Sequence, residues 1–515
     1  MKKRIGIKMG VIILLLIIGI VALCIYFSGD KNNNNHNPTE DNYQKVEIQN
    51  TFNGKVSQSF SFGEEVSRNI PTSISNEGKN SRYPTYGTSL SSITDEEKDN
   101  LIAEANLIRA SDSTFDSMDS EGNLYLNGEQ TGKKLYKHTA SVGMYYGDVS
   151  DDEPAVTKTI TVQANEVRNY VTGLYAPAGE VVKIEISEED LAKIGGELTI
   201  VIGQTSHRNN VNNIWKARND FSRMPTIASL MTVKTTTAYV GYALGGPIYI
   251  YPKTFGNRFS VTISGAVNYP YYIHGITTKL ELEEMKNYSA PYFDFEVWDL
   301  GVRHSGPKSY AGDLYLDYDN LTKVGDLWEK ICRTSRQVPC SGNVTIGVGF
   351  IYDSFVAAGE AVTFQGGHSW INAPCYWFSN ALNYQSMTST GFWGTIHEFN
   401  HLYQSYGMYG TKTNEVTNNA TSLISYALYT NISSMRSEND STLSGWNRYT
   451  DPSRSLRETI ANETKGKAQM ALNCYADILH SFGVDIYTLA TRLQTQFGVD
   501  YWYEALSKAT NYNMT

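Results

Sequence analysis

The chain has 515 residues, 41% hydrophobic and 19% charged, an ordinary globular balance with ample material for a core. Length sets a soft expectation of roughly three domains. A net charge of -10 and a pI of about 5.5 argue against nucleic acid as a partner, and the 36 tyrosines read as strand propensity.

The N-terminus carries Lys2, Lys3, Arg4 and Lys8, and then an uncharged, mostly apolar run from Met9 to Phe27. As a helix that run nearly matches the hydrocarbon core of a bilayer, about 30 Å thick. It ends in "VALCIYFSGD", a poor cleavage site, so a signal anchor is expected rather than a removed signal peptide. The basic cluster precedes the span, which predicts a cytosolic N-terminus and an outward-facing remainder. Residues 1–8 are thus expected to form a cytoplasmic tail, 9–27 a transmembrane signal anchor and 28–45 a polar, asparagine-rich stalk in which His36 is solvated.

Cys24 lies in the membrane run. Cys332, Cys340, Cys375 and Cys474 are even in number without CxxC spacing, and are either disulfide-bonded in an outward-facing domain or buried as thiols. If bonded, they allow three connectivities, and Cys332 and Cys340, near neighbours, are one candidate local pair. Sequons at Asn287, Asn320, Asn343, Asn431, Asn439 and Asn462 fit a secretory route.

Residues 46–154 form a mixed region. Its one clear helix opens at Thr94 with Glu97 at capping-box spacing and carries Leu101, Ala105 and Ile108 on one face. Over 155–275, short runs such as "VTKTITVQ", "ELTIVIG", "GPIYIYP" and "RFSVTISG" alternate with turn signals and predict an antiparallel β-sandwich. Over 276–515, "VTIGVGFIYD" and "AVTFQGG" read as strands. "NATSLISYALY", "KAQMALNCYADILHSFG", "DIYTLATRLQTQFG" and "DYWYEALSKAT" read as helices. A sheet followed by a helical half is an α+β arrangement. The chain stops at Thr515 with no visible cap or tail, as expected of a last domain that continues.

The chemistry centres on "GTIHEFNHLYQSYGMYGTKTNEVTNN", Gly394 to Asn419. On a helix, His397 and His401 share one face and can aim both imidazoles at one metal. Glu398, next to the first, lies where a general base for a metal-activated water belongs. Catalytic zinc requires a third protein ligand and one open position. Gln404 and Gly407 stand where a metzincin would have its glycine and third histidine, so that class fails. Between His401 and Glu438 the only His, Asp or Glu is Glu415, at the start of a helical pattern. His397, His401 and Glu415 are therefore the expected ligands of one Zn2+ ion, with Glu398 as base; this donor set suits zinc over magnesium or calcium. Asn419, one turn after Glu415, is expected to hydrogen-bond a ligand histidine. It also begins a sequon, and a residue buried beside zinc is not glycosylated. In "QGGHSWINAPCYWF", His368, Tyr376 or Trp377 either lines the cleft, with His368 or a tyrosine facing an oxyanion, or belongs to an aromatic loop on the core. His480 reads as a core residue.

The motif "HEFNH…NEVTNN" resembles that of the enhancin-like zinc metallopeptidases, peptidase family M-sixty, which include mucin-degrading gluzincins. Upstream, "GLYAPAGE", "IGQTSH", "FSRMP" and "GGPIYI" look like that family's N-terminal β-domain, so the resemblance spans roughly residues 155–515. It implies a β-sandwich beside a gluzincin-type catalytic domain, zinc on His397, His401 and Glu415, and Glu398 in catalysis. It also implies glycoprotein substrates, often O-glycosylated mucins, and a place at the cell surface; some protist relatives are described as surface antigens. Asn414 replaces the family's glycine before the glutamate, and "HSWINAP" replaces its "HxGYP"-like segment.

The leading expectation is a surface-anchored zinc endopeptidase acting on glycoproteins, with the catalytic domain outside the cell. The alternative is a non-catalytic adhesin or antigen that binds host glycans on the same fold. A zinc aminopeptidase would need an acidic amine-binding motif, which "QGGHSWIN" does not offer.

Overall fold

A computed structural model describes residues 58–68, 88–89, 114–135, 149–164, 168–204, 220–221, 228–297, 301–337, 347–353, 361–364, 369–389, 392–403, 414–429, 468–494 and 499–514, with a few isolated positions between them. The run Met9–Phe27, the stalk and most of the expected helix after Thr94 lie outside the described residues. No described helix is long and apolar enough to cross a membrane.

The first strands are β1 (Gln58–Val66), β2 (Thr88–Ser89), β3 (Ser117–Met118), β4 (Asn123–Leu126), β5 (Glu129–Lys134), β6 (Ala155–Gln163) and β7 (Tyr170–Ala176). Then come β8 (Val182–Ile186), helix α1 (Glu188–Lys193), β9 (Leu198–Ile202), β10 (Asp220–Phe221), β11 (Ser229–Val233), β12 (Thr237–Val240), β13 (Gly246–Pro252) and β14 (Arg258–Asn268). One antiparallel layer runs β1-β6-β14-β8-β12, and a second runs β14-β7-β13-β9-β11. β14 belongs to both. It bends at Gly265, where φ is +90° and an added Cβ would stand 2.8 Å from the Val181 carbonyl oxygen. The register slips between Ser264 and Ala266, so a bulge turns the corner of the sandwich. β6 alternates buried and half-buried residues; its outer threonines pair with β14 hydroxyls, as in Thr159–Thr262 and Thr161–Ser260, both 2.8 Å. β1, from the mixed N-terminal region, is an edge strand of this sandwich.

The second half begins with β15 (Tyr271–His274), α2 (Lys279–Met285), β16 (Tyr292–Val297), β17 (Val302–Pro307), α3 (Lys308–Ala311) and the long helix α4 (Tyr318–Gln337). It continues with β18 (Val348–Asp353), β19 (Val362–Phe364), β20 (Ser369–Pro374), α5 (Tyr376–Ala381), α6 (Tyr384–Ser389), α7 (Trp393–His401), α8 (Asn414–Tyr429), α9 (Ala468–Leu493, broken at Gly483) and α10 (Val499–Thr510). The mixed sheet is ordered β15-β16-β17-β18-β20-β19. β15, inside the 155–275 segment, thus starts the second sheet. Ser369–Pro374, one expected form of which is an aromatic loop, is instead strand β20 between β18 and the edge strand β19. Its middle residues Ile371, Asn372 and Ala373 are fully buried, so the ladder satisfies their backbone groups.

The two halves share one core. Arg168, at the start of β7, forms an ion pair with buried Glu296 of β16 and lies 3.0 Å from Glu166. The Arg303 guanidinium of β17 sits 4.1 Å over the Tyr249 ring of β13 and donates to Gln204 at 3.3 Å. Tyr269 donates to Asp294 at 2.7 Å, while burial raises the Asp294 carboxyl above its ordinary range.

The candidate Cys332–Cys340 pair does not form. Cys332 is a free thiol on the inward face of α4, fully buried, and burial pushes it up to about 12. Cys375 is buried, and Cys340 and the Cys474 side chain lie outside the described residues.

Candidate metal centre

"HEFNH" is helical, as its spacing predicts, and forms the last five residues of α7. Phe399, on the opposite face from the histidines, anchors the helix in an aromatic cluster. Its ring centroid lies 5.8 Å from Trp328, 6.0 Å from Phe350 and 5.0 Å from Tyr403. At the helix start, an added Cβ on Gly394 would fall 2.1 Å from the Trp377 ring. Glycine there is what lets α5 and α7 approach.

His397 and His401 meet edge to face, with centroids 4.7 Å apart and planes at 87°, and their Nε2 atoms are 3.1 Å apart. The possible ligand atoms of His397, Glu398 and His401 all lie within 4.8 Å of one another. α8 crosses α7 and supplies the partners of this face. Asn419 Oδ1 is 2.6 Å from His397 Nδ1, and Asn400 donates to Ser422 Oγ at 2.9 Å. An amide oxygen only accepts, so His397 carries its proton on Nδ1 and presents a bare Nε2.

Glu398 is held from the sheet: Thr363 Oγ1 of β19 lies 2.5 Å from Glu398 Oε2 and 2.8 Å from the Glu398 carbonyl oxygen. Residue 415 falls in the first turn of α8, one turn before Asn419. The Glu415 and His480 side chains and all of His368 lie outside the described residues. Tyr376 begins α5, is exposed, and meets Trp377 edge-on at 6.4 Å. It reaches the site helix through Trp377.

Sequence reasoning missed Thr363, Ser422 and the Gly394–Trp377 contact. Their roles come from pairings between distant segments, which leave no local pattern. A second group of possible ligands, His274, Asp326 and Glu329, also clusters among the described residues. There Arg333 takes up Glu329 in an ion pair, His274 lies 3.2 Å from largely exposed Asp326, and the set reads as surface ion pairing.

The family description "Peptidase M60, enhancin and enhancin-like" matches residues 265–515, and "N-terminal domain of M60-like peptidases" matches residues 151–264. The chain belongs to the M60 peptidase family. As an M60 protein it is 30% identical over 323 residues to "Antigenic protein NP1" of Entamoeba histolytica, covering 59% of this chain and 47% of that one. It is 29% identical over 348 residues to "Antigenic protein P1" of the same species, covering 64% and 29%. The chain thus spans less than half the length of these curated relatives. Its mixed α/β fold is shared with the IMPa metallopeptidase of Pseudomonas aeruginosa, solved in complex with T-antigen. The TM-score is 0.51 at 14% identity, over 85% of this chain and 59% of that one.

Proposed function

We propose that this M60 protein is a surface-anchored, zinc-dependent endopeptidase that hydrolyses peptide bonds in glycoproteins, O-glycosylated mucins foremost. The observation that carries the reading is the pair of converging imidazoles, His397 and His401, with the Glu398 carboxylate beside them. The donor set suits zinc. Two imidazole nitrogens 3.1 Å apart are within reach of one ion at the usual zinc–nitrogen length of about 2.0–2.1 Å, and Asn419 fixes the tautomer that leaves His397 Nε2 bare. His397, His401 and Glu415 would hold the ion, giving the gluzincin arrangement.

When bound, zinc supplies a Lewis acid that polarises the scissile carbonyl and acidifies a water. Glu398 accepts the proton of the attacking water at a carboxylate oxygen and delivers it to the leaving amine nitrogen. The Asn419 amide keeps the His397 ring oriented, and the Phe399 cluster keeps the helix in place. The glycoprotein preference draws on the T-antigen complex of the IMPa metallopeptidase. The membrane placement, with a cytosolic N-terminus and an extracellular catalytic domain, draws on the run Met9–Phe27 and the basic residues before it.

The Entamoeba relatives carry the names of antigens, which favours the second reading, a non-catalytic adhesin or antigen binding host glycans. Bound zinc and cleavage of mucin against unglycosylated casein separate the two. The peptidase reading expects Glu398→Gln to retain zinc and lose cleavage. Equal behaviour of wild type and Glu398→Gln on both substrates would exclude it, and activity confined to free N-termini would make the protein an aminopeptidase.

A further inference from the structure

We propose that Thr363, on the edge strand β19, is the positioning residue that holds the Glu398 carboxylate in its working place. The inference rests on Glu398 being the base. Thr363 pairs in register with Ile371 of β20, so the two side chains leave the same face of the sheet. Ile371 is fully buried, and α7 lies against β19 and β20. The Thr363 hydroxyl reaches two acceptors of one residue, Glu398 Oε2 at 2.5 Å and Glu398 O at 2.8 Å. The shorter contact is to the carboxylate oxygen, so it takes the larger share of the hydroxyl proton.

The hydroxyl has a single proton, so the contact is bifurcated, shared between the carboxylate and the backbone oxygen of one residue. The backbone contact ties the site helix to the strand, and the carboxylate contact selects one direction for a side chain that otherwise has three rotatable bonds. A β-branched residue in a strand has few χ1 choices, so the threonine methyl in turn fixes the hydroxyl. A general base must lie within hydrogen-bond reach of its proton, and small displacements at a reacting centre cost up to about a hundredfold in rate. Thr363 touches neither substrate nor metal in this scheme; it acts through Glu398.

Thr363→Val keeps the shape of the side chain and removes the hydroxyl, whereas Thr363→Ser keeps the hydroxyl. In the full-length protein, Thr363→Val should lower kcat about ten- to a hundredfold, with KM and zinc content unchanged. Thr363→Ser should stay within about threefold of wild type. Thr363→Val should cost nothing further in a Glu398→Gln background, because the group it positions is already gone. A crystal structure of Thr363→Val should show the residue-398 carboxylate away from its wild-type place. Wild-type kcat in Thr363→Val, a loss confined to KM or zinc content, failure of serine to rescue, or an unmoved carboxylate would each overturn the proposal. Full activity in Glu398→Gln would instead overturn the base assignment itself, and Thr363 with it.

Discussion

Asn419 offers the sharpest handle on the site. Its amide oxygen lies 2.6 Å from His397 Nδ1, and the residue is only 8% exposed. Asn419→Ala leaves the Nδ1–H group with little access to water and frees the ring to move its proton to Nε2, where it blocks the lone pair a metal needs. Leaving such a buried donor unpaired costs about 1–3 kcal/mol. Loss of the partner of a ligating histidine typically costs about ten- to a hundredfold in metal affinity, or roughly 1.4–2.8 kcal/mol. The two estimates agree. Competition for zinc against a chromophoric chelator should therefore show a Kd raised about ten- to a hundredfold in Asn419→Ala. Asn419→Asp, which keeps an acceptor and adds charge, should bind zinc at least as tightly as wild type. Thr421→Val removes the sequon without touching the amide and should leave zinc affinity unchanged; among the described residues, the hydroxyl it deletes bonds the Thr417 carbonyl, at 3.3 Å. Wild-type zinc affinity in Asn419→Ala, or a glycan on Asn419 in secreted protein, would refute the reasoning.

Gly394→Ala should lower stability by up to about 2 kcal/mol, because overpacking costs about 1–3 kcal/mol while alanine regains about 1 in helix propensity. The sign should reverse in a Trp377→Leu background, and urea unfolding of the four proteins decides it. Lys158 is buried beneath Phe60, Phe62 and Tyr271, its ammonium 3.2 Å from the Gly173 carbonyl oxygen. Burial pushes it from its ordinary 10.5 down to about 7. Between those values the unfolded chain binds more protons than the folded one, so this group's contribution improves as pH rises from about 7 towards 10.5. Lys158→Met should accordingly be the more stable protein at pH 6.5, with the gain shrinking by pH 9; a difference independent of pH would contradict the burial argument. Arg168→Met strands Glu296 in the core and should cost about 3–5 kcal/mol, largely recovered in Arg168→Met/Glu296→Leu. Chemical denaturation of both proteins checks this, and equal stability of the two would count against it.

What could be read from the sequence was what local spacing encodes. His397, Glu398 and His401 follow helical geometry, and Asn419 follows from its one-turn offset behind Glu415, so the bond to His397 lay within reach of pattern alone. β20 was not so readable. Strands in the middle of a mixed sheet are buried on both faces and lose the alternation that marks a strand, and "SWINAP" has asparagine and proline near its end. β1 was obscured for another reason, since its partner β6 lies about a hundred residues along the chain and nothing in "QSFSFGEEV" names it. Thr363 is the same kind of case: in "VTF" it is an unremarked strand residue until the fold brings it under Glu398.

Buried charge was the other blind spot, and it bears on how the two matched segments relate. Asp294, Glu296 and Arg303 look like surface residues in the sequence, yet each is at most 6% exposed, and partners of Glu296 and Arg303 come from the β-sandwich. Cut at residue 264, the peptidase half would keep Glu296 and lose Arg168, and would keep Arg303 and lose Gln204 and Tyr249. Each loss leaves a charge facing either water or an empty cavity where a packed partner had been. The sheet that carries Thr363, and the helix whose Glu398 it holds, are built on those same strands. The sandwich is therefore part of the platform on which the candidate site is aligned, and a site of this kind has reason to come with its N-terminal β-domain attached.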